Sequence, residues 1–325
     1  MHPPNTGSIV TWMKQESGTS PVGDGHMIYA RSRRINPSSA IRHQETNVIH
    51  LWATGQGIVG RHLEQTRLLG GLDWDGIFSS EDPVGLVQQS FNSAAAAPVA
   101  APPADGAAPP IGSQEVWAAG VTYYRSRDAR MAEAAQAGGA DFYARVYDAE
   151  RPELFMKATA RRVVGSGGAV RVRSDANWTV PEPELVVAVN REGKIFGYTV
   201  GNDVSSRDIE GENPLYLPQA KIYDRSCALG PALCVSAEMP PASTRISMRV
   251  MRGGEVAVEG ATDLTRLKRK PQDLVSFLFR DNSFPQGCYL MTGTGIVPAG
   301  DFTLAAGDRI EIEIERIGTL HNHVM

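Results

Sequence analysis

Two apolar, β-branched runs, Leu185 to Val189 and Ile195 to Val200, are joined by a short polar segment holding Glu192-Gly193. Runs of this length closed by a glycine turn predict a β-hairpin. The hairpin opens with Pro-Glu-Pro-Glu. Because successive strand side chains alternate between faces, Glu182 and Glu184 share one face. Asp203 ends the second strand, and in an antiparallel pair centred near Glu192 it lies roughly across from Glu182. Three carboxylates therefore converge at the open end, and their repulsion is relieved by a proton or a cation. An all-oxygen set suits a hard divalent ion: magnesium, manganese or calcium. The same residues also read as an acidic, solvated strand end, and the hairpin alone leaves both readings open.

Other features narrow the function classes. The formal net charge is -4, and no basic run is long enough to form a nucleic-acid patch. Lys268-Arg269-Lys270 reads as a solvated helix start before Pro271. No apolar run reaches the roughly 18 residues of a membrane span, and the amino terminus lacks an apolar leader core, so a cytoplasmic location is expected. Cys227, Cys234 and Cys288 are odd in number and lack metal-type spacing, which argues against a disulfide framework. All histidines lie at or before His62 or at His321 and His323. The long stretch between them has no imidazole, which excludes Ser-His-Asp or Cys-His chemistry there.

Along the chain, 1–25 reads as a mobile tail and 26–92 as a small amino-terminal domain. Within the latter we expect a strand at Asn47–Ala53, a helix at Arg61–Leu69, a loop at Leu72–Asp75 and a helix at Pro83–Gln89. The Ala/Pro-rich run 93–113 has linker composition, and 114–325 forms the main domain. There Val116–Val121 reads as a buried strand and Arg125–Gln136 as a helix ended by Gly138-Gly139. Glu153–Lys157 reads as a strand with Glu153, Phe155 and Lys157 on one face, the two charges fitting the outer side of an edge strand. Lys221 reads as a surface lysine. The glycines flanking Thr294 fit either a tight turn or an anion seat built from backbone N–H groups. Ile246–Val250 and Glu255–Glu259 predict a second hairpin, Leu274–Arg280 a helix, and the alternation over Asp308–Ile317 a half-exposed antiparallel strand.

Taken in order, these motifs resemble the fumarylacetoacetate hydrolase family over roughly Val116 to the carboxyl terminus. They are Glu182-x-Glu184, Gly201-Asn202-Asp203-Val-Ser-Ser-Arg207-Asp208, Lys221, Leu229-Gly230-Pro231, Gly293-Thr294-Gly295 and Gly307-Asp308…Ile317-Gly318-Thr319-Leu320. The resemblance implies an α+β, β-rich roll of mixed sheets with a small amino-terminal domain. It implies magnesium, with manganese or calcium as substitutes, on Glu182, Glu184 and Asp203. Lys221 would sit beside the metal, Thr294 on the carboxylate of a 2-oxo acid, and Arg207 and Gln219 in the substrate site. A homo-oligomer, dimer or tetramer, is implied as well.

Glu210 to Lys221 and Ser226 to Pro231 resemble the branch that dehydrates 2-keto-3-deoxy sugar acids, such as 2-keto-3-deoxy-D-arabinonate to 2,5-dioxopentanoate. The carbon–carbon hydrolases of the family carry a histidine just after the first strand of the catalytic domain, where Tyr123 to Glu133 has none. The implied reaction removes a C3 proton next to a polarised 2-oxo group and expels the C4 hydroxyl. Glu153 is the first candidate for the base, Lys221 the second, and Glu133 and Asp128 follow. The rival is a hydrolase of an acylpyruvate or fumarylpyruvate, with Glu133 or Asp128 orienting water.

Overall fold

The computed structural model of the chain describes residues 48–94, 106–126, 131 and 145–325. The expected tail at 1–25, most of the Ala/Pro-rich run, most of the helix expected at Arg125–Gln136, and Asp128 and Glu133 lie outside the described residues.

In chain order the first strands are β1 (Ile49–Thr54), β2 (Gly57–His62), β3 (Gln65–Leu68), β4 (Glu115–Gly120) and β5 (Glu153–Thr159). Short strands β6 (Val163–Val164), β7 (Ala169–Val170) and β8 (Thr179–Val180) lead to the long pair β9 (Pro183–Val189) and β10 (Ile195–Asp203). Then come β11 (Ser205–Ser206), β12 (Cys227–Val235), β13 (Arg245–Arg252), β14 (Glu255–Asp263), β15 (Cys288–Met291), β16 (Arg309–Ile314) and β17 (Gly318–Val324).

A ten-stranded sheet runs β3-β2-β1-β12-β10-β9-β15-β4-β5, with β6 beside β12, and a five-stranded sheet runs β14-β13-β16-β17-β7. β15 is parallel to β4, β6 to β12 and β7 to β17, while the other pairs in both sheets are antiparallel. The architecture is thus the β-rich mixed one expected.

Every residue of β9 is buried, because the large sheet is covered on both faces. Val186 and Ala188 enter a core with Ile77, Phe78, Val87 and Phe91 of the helices Trp74–Ser79 and Pro83–Ser93. On the other face, Leu185 meets the five-stranded sheet at Ile310 and Ile312, while Val187 and Val189 meet Leu274, Val275 and Leu278 of the helix Pro271–Leu278. Fully burying a Val or Leu side chain contributes about 1.5–3 kcal/mol. The whole β-propensity scale spans only about 1 kcal/mol, so packing on two sides, rather than propensity, fixes this hairpin. At its turn Gly193 has φ +75, and the Asn190 side-chain oxygen accepts from the N–H groups of Glu192 and Lys194.

Two local expectations are corrected. Arg61–Leu69 is not a helix: His62 pairs with Gln65, and Leu63, at φ 53, turns β2 back into β3. Leu72–Asp75 is not simply a loop either, since the Asp73 carboxylate accepts from Gly76 N–H and caps the helix that begins at Trp74. The three strands between 49 and 68 do not stand apart from the rest. β1 pairs with β12 from Ile49↔Val235 to Leu51↔Leu233 and so extends the large sheet. Among the described residues no helix is long and apolar enough to cross a membrane.

Candidate active site

The site begins where the apolar face of β9 runs out. Side chains alternate along the strand, so the face carrying Val186 and Ala188 carries Glu184 and Glu182 at its end. In the hairpin Gly201 pairs with Glu184, and Asp203 N–H donates to the Glu182 carbonyl at 3.0 Å. Asp203 therefore stands across from Glu182, and oxygens of Glu182, Glu184 and Asp203 lie within 4.8 Å of one another, all three side chains buried.

Three cations surround them. Lys221 Nζ reaches Glu182 Oε2 at 2.8 Å, Asp203 Oδ2 at 3.0 Å and Ser205 Oγ at 2.6 Å. Arg207 Nη2 donates to Glu182 Oε1 at 2.7 Å. Lys157 Nζ lies 2.6 Å from Asp203 Oδ1. Lys221, which read as a surface residue, is buried at the end of the helix Leu217–Lys221, with its ammonium 5.4 Å from the Phe155 ring centre.

Glu184 is held differently. Its Oε2 accepts from Gly293 N–H at 2.5 Å. Gly293 has φ +94, and a Cβ there would collide with the Thr122 hydroxyl, so glycine alone suits this turn. Burial first, then the charges of Asp203 and Glu182, push the Glu184 carboxyl well above the usual carboxylate range; Lys221 and the Gly293 N–H oppose this only in part. A buried all-oxygen cluster whose third member resists ionisation, through burial and the charges of its two neighbours, fits a hard divalent cation. The donor set passes that test.

A small cavity lies over the triad. Its wall includes Gly120, Glu153, Phe155, Arg207, Glu210, Lys221, Gly293 and Thr294 along with the three acids. Among the described residues no histidine lines it. Glu153 starts β5 directly across from Gly120 of β4, and its carboxylate rests where a side chain of residue 120 would be. A Cβ there would come within 2.2 Å of Glu153 Oε2.

Of the residues singled out in the sequence, Glu153, Glu182, Glu184, Asp203, Arg207, Lys221 and Thr294 come together here. Gln219 does not line the cavity: its side chain is exposed, and its carbonyl accepts from Arg173 at 3.2 Å. Two further buried groups belong to the site: Glu210, which carried no assignment, and Lys157, which read as a charge on the outer side of an edge strand but is fully buried. Glu210 lines the cavity from the helix Arg207–Glu212, three residues after Arg207 and so on the same helical face. Lys157 lies beneath the triad, and the available signal was a lone lysine inside the apolar strand Leu-Phe-Met-Lys-Ala.

Comparison with known proteins gives a consistent picture. The model of the fumarylacetoacetate hydrolase carboxy-terminal domain matches residues 128–325. A probable 2-keto-3-deoxyxylonate dehydratase of Haloferax volcanii is 50% identical over 216 residues, 66% of this chain and 73% of that protein. A 2-dehydro-3-deoxy-D-arabinonate dehydratase of Saccharolobus solfataricus is 48% identical over 213 residues, 65% of this chain and 72% of that protein. Among solved structures, a 2-keto-3-deoxy-D-arabinonate dehydratase complexed with magnesium and 2,5-dioxopentanoate superimposes with a TM-score of 0.70 at 37% identity, covering 85% of this chain and 98% of that one.

Proposed function

Since this chain belongs to the fumarylacetoacetate hydrolase family, we propose that it is a magnesium-dependent dehydratase converting a 2-keto-3-deoxy sugar acid, such as 2-keto-3-deoxy-D-arabinonate, into a 2,5-dioxo acid. One observation carries this reading: a buried triad of carboxylates opens into a cavity whose wall holds two further carboxylates, Glu153 and Glu210. Removing a carbon-bound proton needs a base, and the cavity supplies one.

Glu182, Glu184 and Asp203 hold the magnesium, which when bound supplies Lewis-acid polarisation of the substrate's 2-oxo group. Thr294, in the turn that also fixes Glu184, receives the substrate carboxylate. Glu153 takes the C3 proton. The electron pair left behind moves into the C2–C3 bond and onto the 2-oxo oxygen. Lys221 faces that developing charge and stabilises it electrostatically. The C4 hydroxyl then leaves with a proton as water, giving a C3=C4 enone. Loss of a C5 proton and protonation at C3 convert this to the C4=C5 enol, which takes a proton at C4 and releases its hydroxyl proton to become the aldehyde of the 2,5-dioxo product.

The test is direct. Purified protein stripped of metal should leave 2-keto-3-deoxy-D-arabinonate unchanged, and added magnesium should restore loss of substrate with release of an aldehyde. Pyruvate release from an acylpyruvate, with no dehydration of any 2-keto-3-deoxy acid, would overturn the proposal.

A second expectation concerns Gly120. Its φ is compatible with any residue, so Gly120→Ala should fold, but the added methyl must displace the Glu153 carboxylate. A misplacement of about 1 Å can cost 10²-fold in rate. We expect kcat to fall by about that factor while magnesium affinity, read by calorimetry, stays at the wild-type value.

A further inference from the structure

We infer that Lys157 is a positioning residue that sets the geometry of the metal site from below, by fastening Asp203 and Lys221 to one another. It is fully buried on β5 and is not among the residues lining the cavity. Its ammonium donates to the Val204 carbonyl at 2.9 Å and to the Lys221 carbonyl at 2.6 Å, and its nitrogen lies 2.6 Å from Asp203 Oδ1 as an ion pair. Buried outside the cavity wall, Lys157 acts through other residues.

Its three acceptors belong to two different parts of the chain. Asp203 ends β10 and Val204 follows it, whereas the Lys221 carbonyl ends the helix Leu217–Lys221. Ser226 Oγ donates to that same carbonyl at 2.9 Å, so the last turn of the helix is held from two sides. Asp203 is gripped at both oxygens, by Lys157 on Oδ1 and by Lys221 on Oδ2. A carboxylate offers about four lone-pair sites, and the one hydrogen bond from Lys221 leaves others for a cation. The carboxylate plane is thereby fixed before any cation arrives.

A buried ammonium also carries a desolvation penalty of several kcal/mol that an apolar side chain of equal length avoids. Its contribution is therefore geometric, and it should be visible in metal binding. The role of Lys221 in this inference rests on the dehydratase reading; the magnesium measurements do not.

Lys157→Met keeps the length of the side chain and removes the charge. Calorimetric titration of the metal-stripped variant with magnesium chloride should show affinity weakened about 10–100-fold, the range for residues that orient metal ligands. At saturating magnesium, kcat should remain lowered with KM little changed, because Lys221 is no longer tethered. A variant with a lower melting temperature but wild-type magnesium affinity and kcat would reduce Lys157 to a structural residue and overturn the inference. Should the variant fail to fold, the wild-type protein decides the matter: the slowly exchanging ammonium protons of Lys157 should shift in NMR spectra as magnesium is added. Signals unmoved at saturation count against the proposal. Were the wild-type protein to bind magnesium yet dehydrate no sugar acid, the functional reading would fall while the titration still judged Lys157.

Discussion

Glu184→Gln should abolish magnesium-dependent turnover while making the metal-free protein more stable at neutral and alkaline pH. Glutamine matches the size of glutamate and can still accept from Gly293 N–H, but it offers a far weaker cation ligand. Polarisation by a bound cation is worth several kcal/mol at the transition state, and each 1.36 kcal/mol is tenfold. Loss of about 10²–10⁴-fold in kcat/KM is therefore expected, and calorimetry should show no magnesium binding at concentrations that saturate the wild type.

The stability effect has the opposite sign and a defined pH dependence. Burial raises the folded carboxyl of Glu184 well above the usual carboxylate value of 4.5, so the folded metal-free protein holds this proton more tightly than the unfolded chain does. The stability contributed by the neutral carboxyl is complete below about 4.5 and declines as pH rises through the raised folded value. Glutamine carries no proton to lose. The melting temperatures of metal-free wild type and variant should thus coincide in acid and separate as pH rises, with the variant higher. Added magnesium should raise the wild type and leave the variant where it is. A variant that kept full turnover would place the metal elsewhere.

The second large effect is expected at Glu153. Glu153→Gln removes the base but none of the three triad acids, so kcat should fall about 10²–10⁴-fold with magnesium affinity unchanged. The step lost can be identified in deuterium oxide. Wild-type protein should exchange the C3 hydrogens of a 2-oxo acid that has no C4 hydroxyl to expel, and the variant should not. Retained exchange in the variant would transfer the base role to Lys221 or to another wall residue.

How much of this was legible in the sequence depends on the range of the interactions involved. The β9–β10 hairpin and the facing of Glu182, Glu184 and Asp203 follow from local rules, alternation and turn chemistry, and these need no knowledge of the rest of the fold. Lys221 and Lys157 were harder. Each is buried only because distant acids surround it, and Lys221 stands 39 positions from Glu182. A lone lysine is ordinarily solvated; the one local signal for Lys157 was its place inside an apolar strand, and only the family resemblance placed Lys221 beside a metal. Arg61–Leu69 failed for a different reason. Its apolar positions fit a helix, but the chain reverses at Leu63, where a non-glycine residue takes a positive φ that composition does not announce. Gln219 has the right motif around it, yet its side chain points to solvent.

The pairing of β1 with β12 bears on how the chain can be divided. β12 also borders β10, so the strand ending in Asp203 is only one ladder removed from the segment contributed by the first third of the chain. Cutting at the Ala/Pro-rich run would bare the backbone amides and carbonyls of Leu233 to Val235, an open template for another molecule's strand. The amino-terminal strands cover that edge of β12.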